Sequence, residues 1–307
     1  MNCFCYRTLS SHFLRHVMYK ILLLTDFSAA SQHAIAYTQA LFDDTAADFC
    51  LLYVCPIEPD MEYAGATLLA ERWQMAEKSL KQLRAEITGP SSPAYHTYRT
   101  MAVMGSPAGI VNQLLVKEHY DLVVLGATGS GWSELLGSVA TDLVRDAKTN
   151  VLVIPASAPI RPMKTIVLAT DYRSVNDAQS LRLLNDLASR KDADLTVLTI
   201  ENPEKPETRT SALGRQYILD AFQEVQTDTY TIYDDSVLRG IRTYLKMHTV
   251  DMLVMLPHHK SLFDIIRHRS VSRTMAFQPT VPFLALYDAP LRDQPSKFDK
   301  IPFATYL

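Results

Sequence analysis

The sequence predicts an α/β protein built from two tandem doubly wound domains, each with a five-stranded parallel sheet. Three observations carry this prediction: the chain length, the alternation of strand-like and helix-like segments, and an internal repeat. The chain has 307 residues, and a domain commonly takes about 100–200, so two domains are expected. With 48% hydrophobic and 21% charged residues, each half can bury a core of its own.

Short apolar runs alternate with helical patterns along the first half. Residues 21–24 read Ile-Leu-Leu-Leu and are followed by Thr25-Asp26, which is typical of a buried parallel strand. Helical spacing follows from Ser28, a residue type that caps helix N-termini, to Leu41. The same criteria predict strands at 49–54, 95–103, 122–125 and 151–154, and helices at 68–87, 106–120 and from a glycine-rich loop at 126–131 to about 147. This alternation indicates a parallel sheet with helices on both faces.

The second half repeats the strand pattern of the first. Segments 164–171, 194–200, 251–255 and 281–286 match 20–26, 48–54, 121–125 and 150–154 in the same order. Three prolines interrupt the chain between the copies, at 155, 159 and 162, and proline breaks regular structure. We therefore expect one domain at 18–156, a second at 163–289 and an irregular tail at 290–307.

Residues 1–17 do not fit the repeat. The segment carries Arg7 and Arg15, has no sustained apolar core and no small-residue cleavage site, so a secretory signal is not expected. Met18 directly precedes the first strand. We expect Met18 to be the natural start and residues 1–17 to be an artefact of the assigned start.

Composition also narrows the class of protein. A net charge of −3 disfavours binding to a phosphate backbone, so nucleic acid is not an expected partner. No apolar run approaches the roughly 20 residues that span a bilayer, so no membrane partner and a cytoplasmic location are expected. The cysteines match no zinc pattern, and Cys50 and Cys55 are interpreted as core thiols in preference to metal or redox sites.

The sharpest chemical feature is the segment Gly126-Ala-Thr-Gly129-Ser-Gly131-Trp-Ser-Glu-Leu-Leu-Gly137-Ser138. It follows a predicted strand and leads into a helix, so its backbone N–H groups and the helix N-terminus could bind a phosphate. Asp26 ends another strand on the same rim, where its carboxylate could accept hydrogen bonds from ribose hydroxyls or hold Mg²⁺. The alternative is a tight glycine-rich turn without a ligand. The segment is neither a Walker loop nor a dinucleotide fingerprint.

From residue 18 to about 288 the chain resembles a tandem universal stress protein, whose domains have the adenine nucleotide alpha hydrolase-like fold. The family's loop reads G-x2-G-x9-G-[S/T] and binds ATP in its nucleotide-binding branch. Gly126, Gly129, Gly137 and Ser138 match the residue types, with seven residues in place of nine in the last interval.

The resemblance implies further contacts and an assembly. It places Asp26 beside the nucleoside, Val54 where its backbone meets adenine, and Gly105 in a turn near the ligand. It also implies that the two domains pair through their last strands, Val151–Ile154 and Phe283–Tyr287, as an intramolecular pseudo-dimer. A homodimer of the chain is left open.

The second copy has lost the glycines of the loop. Leu256, His259 and Arg269 stand at the three glycine positions, and their side chains would keep a phosphate from the backbone, so ATP binding of the family type is not expected there. Asp171 repeats Asp26 and could serve only to hold its turn. This copy instead has a cationic cluster, with the candidate anion site at His258, His259, Lys260, Arg269 and Arg273.

The cationic cluster leaves three interpretations open. It could bind an anion or an acidic partner, it could be a solvated helix start, or the two adjacent histidines could belong to a metal site. Adjacent histidines on one loop rarely converge without a third ligand, so no metal site is predicted.

Three functions follow for the whole chain. The first is a regulatory stress-response protein whose first domain binds a nucleotide, with ATP and accompanying Mg²⁺ as the expected ligands and an unidentified protein partner downstream. The second is a partner-binding scaffold that binds no nucleotide. The third is a slow Mg²⁺-dependent ATPase, for which the sequence offers no catalytic residue, so an enzyme is the less favoured interpretation.

Overall fold

A computed structural model of the chain describes residues 18–55, 66–89, 92–127, 137–172, 178–204, 212–256 and 281–287. The predicted α/β class is confirmed by the alternation of strands and helices. The strands are β1 (Tyr19–Leu24), β2 (Ala47–Cys55), β3 (His96–Met104), β4 (Leu122–Ala127), β5 (Asn150–Pro155), β6 (Thr165–Ala169), β7 (Asp194–Glu201), β8 (Thr227–Tyr233), β9 (Met252–Met255) and β10 (Phe283–Ala285). The α-helices are α1 (Ala29–Leu41), α2 (Ala66–Ile87), α3 (Pro107–Lys117), α4 (Gly137–Asp146), α5 (Arg182–Arg190), α6 (Ala212–Ala221) and α7 (Val237–Met247), with a 3-10 turn at Ala178–Leu181.

The strands form one ten-stranded sheet in the order β3-β2-β1-β4-β5-β10-β9-β6-β7-β8. Each half contributes five strands, and the strand order within each half is the same. All neighbouring strands are parallel except β5 and β10, which pair antiparallel with Phe283 opposite Val153 and Ala285 opposite Val151. The predicted pairing of the two last strands is therefore confirmed, and it gives each of these strands a partner on its outer edge.

Apolar residues on both faces of the sheet are covered by helices. On one face Ile21, Leu23 and Phe49 pack with α1, and on the other Leu22, Val123 and Val153 pack with α4. Strands buried on both faces read as continuous apolar runs, which explains why the first strand had no polar–apolar alternation. Cys50 and Cys55 are buried within this core, and neither forms a disulfide bond with another described residue.

Ion pairs join the two halves beside the sheet. Arg190, at the end of α5, pairs with Asp44 of the first half, and Lys191 contacts Asp43 at 2.6 Å. The guanidinium of Arg190 also lies 5.5 Å from the ring centre of Phe42. The side chain of Arg190 is only 15% exposed, so this contact is largely shielded from solvent screening.

Helix α3 is shorter than predicted. It ends at Lys117, and Glu118 has an extended backbone whose N–H still bonds to the carbonyl of Leu114. The Glu118 carboxylate accepts hydrogen bonds from both terminal nitrogens of Arg99, at 2.7 and 3.1 Å. The extended backbone at Glu118 therefore ends the helix before Tyr120, where apolar spacing had placed the end, and Glu118 is held there by Arg99.

Among the described helices, none is long and apolar enough to cross a membrane.

Candidate functional site

The candidate site lies at the carboxyl ends of the first-half strands. β1 ends at Leu24 and leads into Thr25 and Asp26, while β2 runs on to Cys55 and β4 to Ala127. In a parallel α/β sheet, ligands bind beyond the carboxyl ends of the strands. The rim therefore brings together three of the predicted segments: the turn at Asp26, the end of β2 at Val54, and Gly126.

A network of short hydrogen bonds shapes the turn between β1 and α1. Phe27 adopts a left-handed backbone, with φ of 63°, and its N–H donates to the Thr25 hydroxyl at 3.0 Å. The N–H of Ser28 donates to Oδ1 of Asp26 at 3.0 Å. Ser28 in turn accepts from the N–H of Ser31 at 3.2 Å, so it caps α1 as predicted.

Asp26 is exposed and ionised. Burial raises the pKa of this carboxyl, but hydrogen bonds from the side chain and backbone of Ser28 and from the side chain of Ser31 outweigh it, so the pKa lies below its usual value. Because a carboxylate has about four acceptor positions, Asp26 can hold its turn and still accept hydrogen bonds from a ligand.

β2 extends further than β1 at this rim. The last β1–β2 pair is Leu24 with Leu52, and Thr25 N–H donates to the carbonyl of Leu52 at 2.9 Å. Backbone groups alternate sides along a strand, so the N–H and C=O of Val54 point to the same side as those of Leu52. Since β1 has already turned away, the peptide groups of Val54 face the rim.

Gly126 is a strand residue, and its predicted place in a loop is wrong. It pairs with Ile154 in the β4–β5 ladder, which continues to Ala127. A Cβ atom at Gly126 would lie 2.4 Å from the carbonyl oxygen of Ala30 and 2.9 Å from the N of Ser31. The glycine is needed because the backbone of α1 lies directly against β4, and the approach of a phosphate is not required to explain it.

Gly105 has a local structural role beside the rim. Its φ is +147°, and its N–H donates to the carbonyl of Cys55 at 2.9 Å. A Cβ atom here would lie 3.0 Å from the side chain of Ile110. Gly105 thus allows the turn that joins β3 to α3, where Pro107 occupies the first helical position, as that helix start allows.

The remaining predicted residues divide into two groups. Gly137 and Ser138 form the first turn of α4, the part of a helix whose free N–H groups favour an anion. The others lie outside the described residues: Gly129, Gly131, His258, His259, Lys260, Arg269 and Arg273.

The corresponding turn of the second half has the same backbone conformation and hydrogen bond, but a different element packs on it. Tyr172 has φ of 59°, and its N–H donates to the Thr170 hydroxyl at 3.1 Å, as Phe27 does to Thr25. Here α6 packs on the turn, because a Cβ atom at Gly214 would lie 1.9 Å from the carbonyl oxygen of Tyr172. Tyr172 is 4% exposed, whereas Phe27 is half-buried, so the second turn is the more enclosed of the two.

Sequence reasoning missed the aromatic residues beside Asp26. The rings of Phe27 and Tyr53 lie 4.9 Å apart between centroids, and the pKa of Tyr53 is raised by burial and by nearby Cys55. A signal was available, since an aromatic residue follows Thr-Asp in both halves, at Phe27 and Tyr172.

Comparisons with known proteins support the fold of the chain. The universal stress protein family model matches residues 18–155, and no curated protein matches the chain. A universal stress protein from Archaeoglobus fulgidus DSM 4304 is 12% identical, with 88% of this chain and 98% of that chain covered and a TM-score of 0.64. A functionally unknown protein from Pseudomonas aeruginosa PAO1 is 15% identical, with 88% and 93% covered and a TM-score of 0.52. At these identities the likeness establishes the fold, and it extends across both halves.

A further solved structure is a universal stress protein family protein from Arabidopsis thaliana with AMP bound. It is 16% identical, with 45% of this chain and 91% of that chain covered and a TM-score of 0.32.

Proposed function

Residues 18–155 belong to the universal stress protein family, and from this premise we propose that the first half of the chain binds an adenine nucleotide, with ATP as the expected ligand. The chain then acts as a nucleotide-binding regulatory protein of the stress response and not primarily as an enzyme. The observation that carries the proposal is the position of Asp26, an exposed ionised carboxylate, at the same edge of the sheet as the peptide groups of Val54, which lie beyond the last β1–β2 pair.

The Val54 peptide groups suit the adenine ring. Adenine presents an acceptor, N1, next to a donor, the 6-amino group, and a backbone N–H and C=O that point the same way can bind both. Guanine presents a donor and an acceptor in the reverse order. A site that reads the base through Val54 therefore favours adenine over guanine.

Asp26 and the first turn of α4 suit the sugar and the phosphates. The Asp26 carboxylate would accept hydrogen bonds from ribose hydroxyls, which are stronger than neutral ones because the acceptor is charged. Gly137 and Ser138, in the first turn of α4, would offer free backbone N–H groups to the phosphates. Among the described residues no group of three or more metal-binding side chains exists, so Mg²⁺ would enter with the phosphates, as it usually does in nucleotide sites.

The test is calorimetric titration of Mg·ATP, AMP and Mg·GTP into the full chain after removal of carried-over nucleotide. Asp26→Asn removes the charge but keeps an oxygen that can accept from Ser28, so the turn is preserved. We expect a loss of ATP affinity of about tenfold or more, the effect of a hydrogen bond to a charged group. The matched control is Asp171→Asn, at the equivalent carboxylate of the second half, which should leave ATP affinity unchanged.

Three results would contradict the proposal. The first is the absence of saturable binding by a folded, nucleotide-free sample, which would favour the scaffold function. The second is equal affinity for ATP and GTP, which would exclude recognition of the base by Val54. The third is an equal loss of affinity in the Asp26 and Asp171 variants, which would place the ligand elsewhere. Mg²⁺-dependent phosphate release that disappears in Asp26→Asn would support the ATPase alternative.

A further inference from the structure

β8 is an edge strand whose side chains are exposed to solvent. It ends the sheet on the side of the second half, as β3 ends it on the side of the first. Five of the seven residues of β8 are exposed, and the side chain of Tyr233 is 71% exposed. On β3, the equivalent strand of the first half, only one residue of nine is exposed. The two ends of the sheet therefore present different surfaces to a partner.

The difference comes from the helix that precedes each strand. In the first half α2 has 22 residues, and the indole N–H of Trp73 donates to the backbone carbonyl of Ala102 on β3 at 3.3 Å. In the second half α6 has 10 residues, and Arg215 of that helix donates to the side-chain hydroxyl of Thr229 at 3.1 Å. The contact from α6 therefore uses no backbone group of β8.

The backbone of β8 is hydrogen-bonded along its inner edge. The carbonyl of Gln226 accepts from Leu195 of β7, and the N–H of Asp234 donates to the carbonyl of Glu201. Backbone groups alternate sides along a strand, so those of residues 227, 229, 231 and 233 point away from β7. In the described part of the chain, β8 pairs with no strand other than β7. Such a row of donors and acceptors is a template for a further strand.

β8 lacks the features that protect edge strands from pairing. Natural edge strands carry lysine or proline, or a bulge that interrupts the row. Residues 227–233 read Thr-Asp-Thr-Tyr-Thr-Ile-Tyr, and all seven pair with β7 in one continuous register. Every residue except Asp228 is β-branched or aromatic, the types that favour strands. The edge is thus regular and well suited to pairing.

The sequence of β8 is compatible with pairing to itself. When two copies run antiparallel about a twofold axis at Tyr230, Thr229 of one copy lies opposite Thr231 of the other. Thr227 likewise lies opposite Tyr233. All four residues belong to the outward-facing set, so each of these pairs can exchange two backbone hydrogen bonds. At the axis the two copies of Tyr230 form a cross-strand aromatic pair, which adds stability.

The charge on β8 does not oppose this arrangement. Asp228 of one copy lies opposite Ile232 of the other, and four residues separate the two copies of Asp228 along the strands. That is about 13 Å at about 3.4 Å per residue, more than the Debye length of about 8 Å in physiological salt. We propose that a second copy of this chain docks on β8 in this register, which forms a twofold dimer and joins the two ten-stranded sheets.

The test is sedimentation equilibrium of the full chain without nucleotide, compared with two double variants that share one substitution. Thr229→Lys with Thr231→Lys places lysine opposite lysine across the axis, whereas Thr229→Lys with Thr231→Glu places lysine opposite glutamate. Both positions are exposed, and both variants lose the contact from Arg215, so the loss of that contact is matched. Circular dichroism checks that the three chains have the same fold.

We expect the wild type to associate reversibly to twice the mass of one chain. The lysine–lysine variant should raise the dissociation constant by at least about tenfold, because like charges lie directly opposite in two symmetry-related pairs. The lysine–glutamate variant should stay within about threefold of the wild type, because opposite charges in these pairs are favourable.

Three results would overturn the proposal. A wild type that stays monomeric at about 100 μM would leave the edge to a strand of another protein. A dimer that the lysine–lysine variant does not weaken would place the interface elsewhere. Equal weakening by both variants would exclude the register. Because the measurement uses no nucleotide, failure of the proposed nucleotide function leaves this test intact.

Discussion

Gly126→Ala tests whether the close contact between β4 and α1 shapes the candidate site. The added Cβ would lie 2.4 Å from the Ala30 carbonyl oxygen, whereas ordinary contact begins at 3.4 Å. The obstructing atoms are backbone, so rotation of a side chain cannot relieve the clash. The N-terminal end of α1 would have to move by about 1 Å, and with it the hydrogen bonds between Asp26, Ser28 and Ser31. Overpacking of this kind costs about 1–3 kcal/mol of folding free energy.

The assay is urea denaturation followed by circular dichroism, together with calorimetric ATP binding. We expect the free energy of unfolding to fall by about 1–3 kcal/mol and ATP affinity to fall with it, since the turn that positions Asp26 moves. The control is Gly89→Ala, where a Cβ would meet nothing within 4 Å. If Gly126→Ala is as stable as Gly89→Ala and binds ATP normally, the contact does not constrain the site and the reasoning is refuted.

Two further predictions concern the contacts between strands and between halves. Asp251→Asn should lower the free energy of unfolding by about 1–3 kcal/mol at pH 7, because the acceptor loses its charge and the amide NH2 group would face either Arg161 or the N–H groups of Lys164 and Thr165, which are all donors. Burial raises the pKa of Asp251, but hydrogen bonds from Lys164 and Arg161 hold it below its usual value. This stabilisation is therefore complete above about pH 4 and is lost as the pH falls through the folded-state pKa, so urea titrations at low pH should show a smaller difference between wild type and variant. Arg190→Ala should cost about 1–3 kcal/mol in thermal unfolding, because Asp44 and Asp186 each lose a charged hydrogen-bond donor. Arg239→Ala, on an exposed side chain, should leave the melting temperature nearly unchanged. Equal effects of the two would show that the contact between the halves adds no stability.

The fold could be predicted well from the sequence because each central strand is visible as a short apolar run. Runs such as residues 21–24 and 122–125 are apolar on both faces, and in runs this short, bounded by polar residues, this pattern is typical of central strands of a parallel sheet. The repeat then supplied the second half, and the resemblance to universal stress proteins implied the pairing of β5 with β10. Strand ends were less predictable, since a strand extends as far as the strand beside it offers residues to pair with. β4 reaches Ala127 because β5 offers Pro155 as a partner.

The candidate site was predicted only in part. Asp26 could be placed from the end of its strand, because the carboxyl ends of parallel strands meet at one edge. Val54 was placed by the resemblance to universal stress proteins. The role of Gly126 could not, because the backbone that excludes a side chain there belongs to Ala30, nearly a hundred residues earlier. Tyr37 fits the apolar stripe of a helix, and only the fold shows that this residue also lines a pocket at the junction of the two halves.

Helix α1 connects the candidate nucleotide rim with the linker between the two halves. Its N-terminal turn holds Asp26 through Ser28, and Gly126 lets it lie directly on β4. Seven residues separate Ala30 from Tyr37, a distance of about 10 Å along the axis at about 1.5 Å per residue. Between them, His33 bonds through Nε2 to the carbonyl of Ala158 in the linker, at 2.8 Å. The helix is thus fixed to the sheet at one end and to the linker near its middle. A shift of its N-terminal turn would therefore also move the part of the helix that contacts the linker between the two halves.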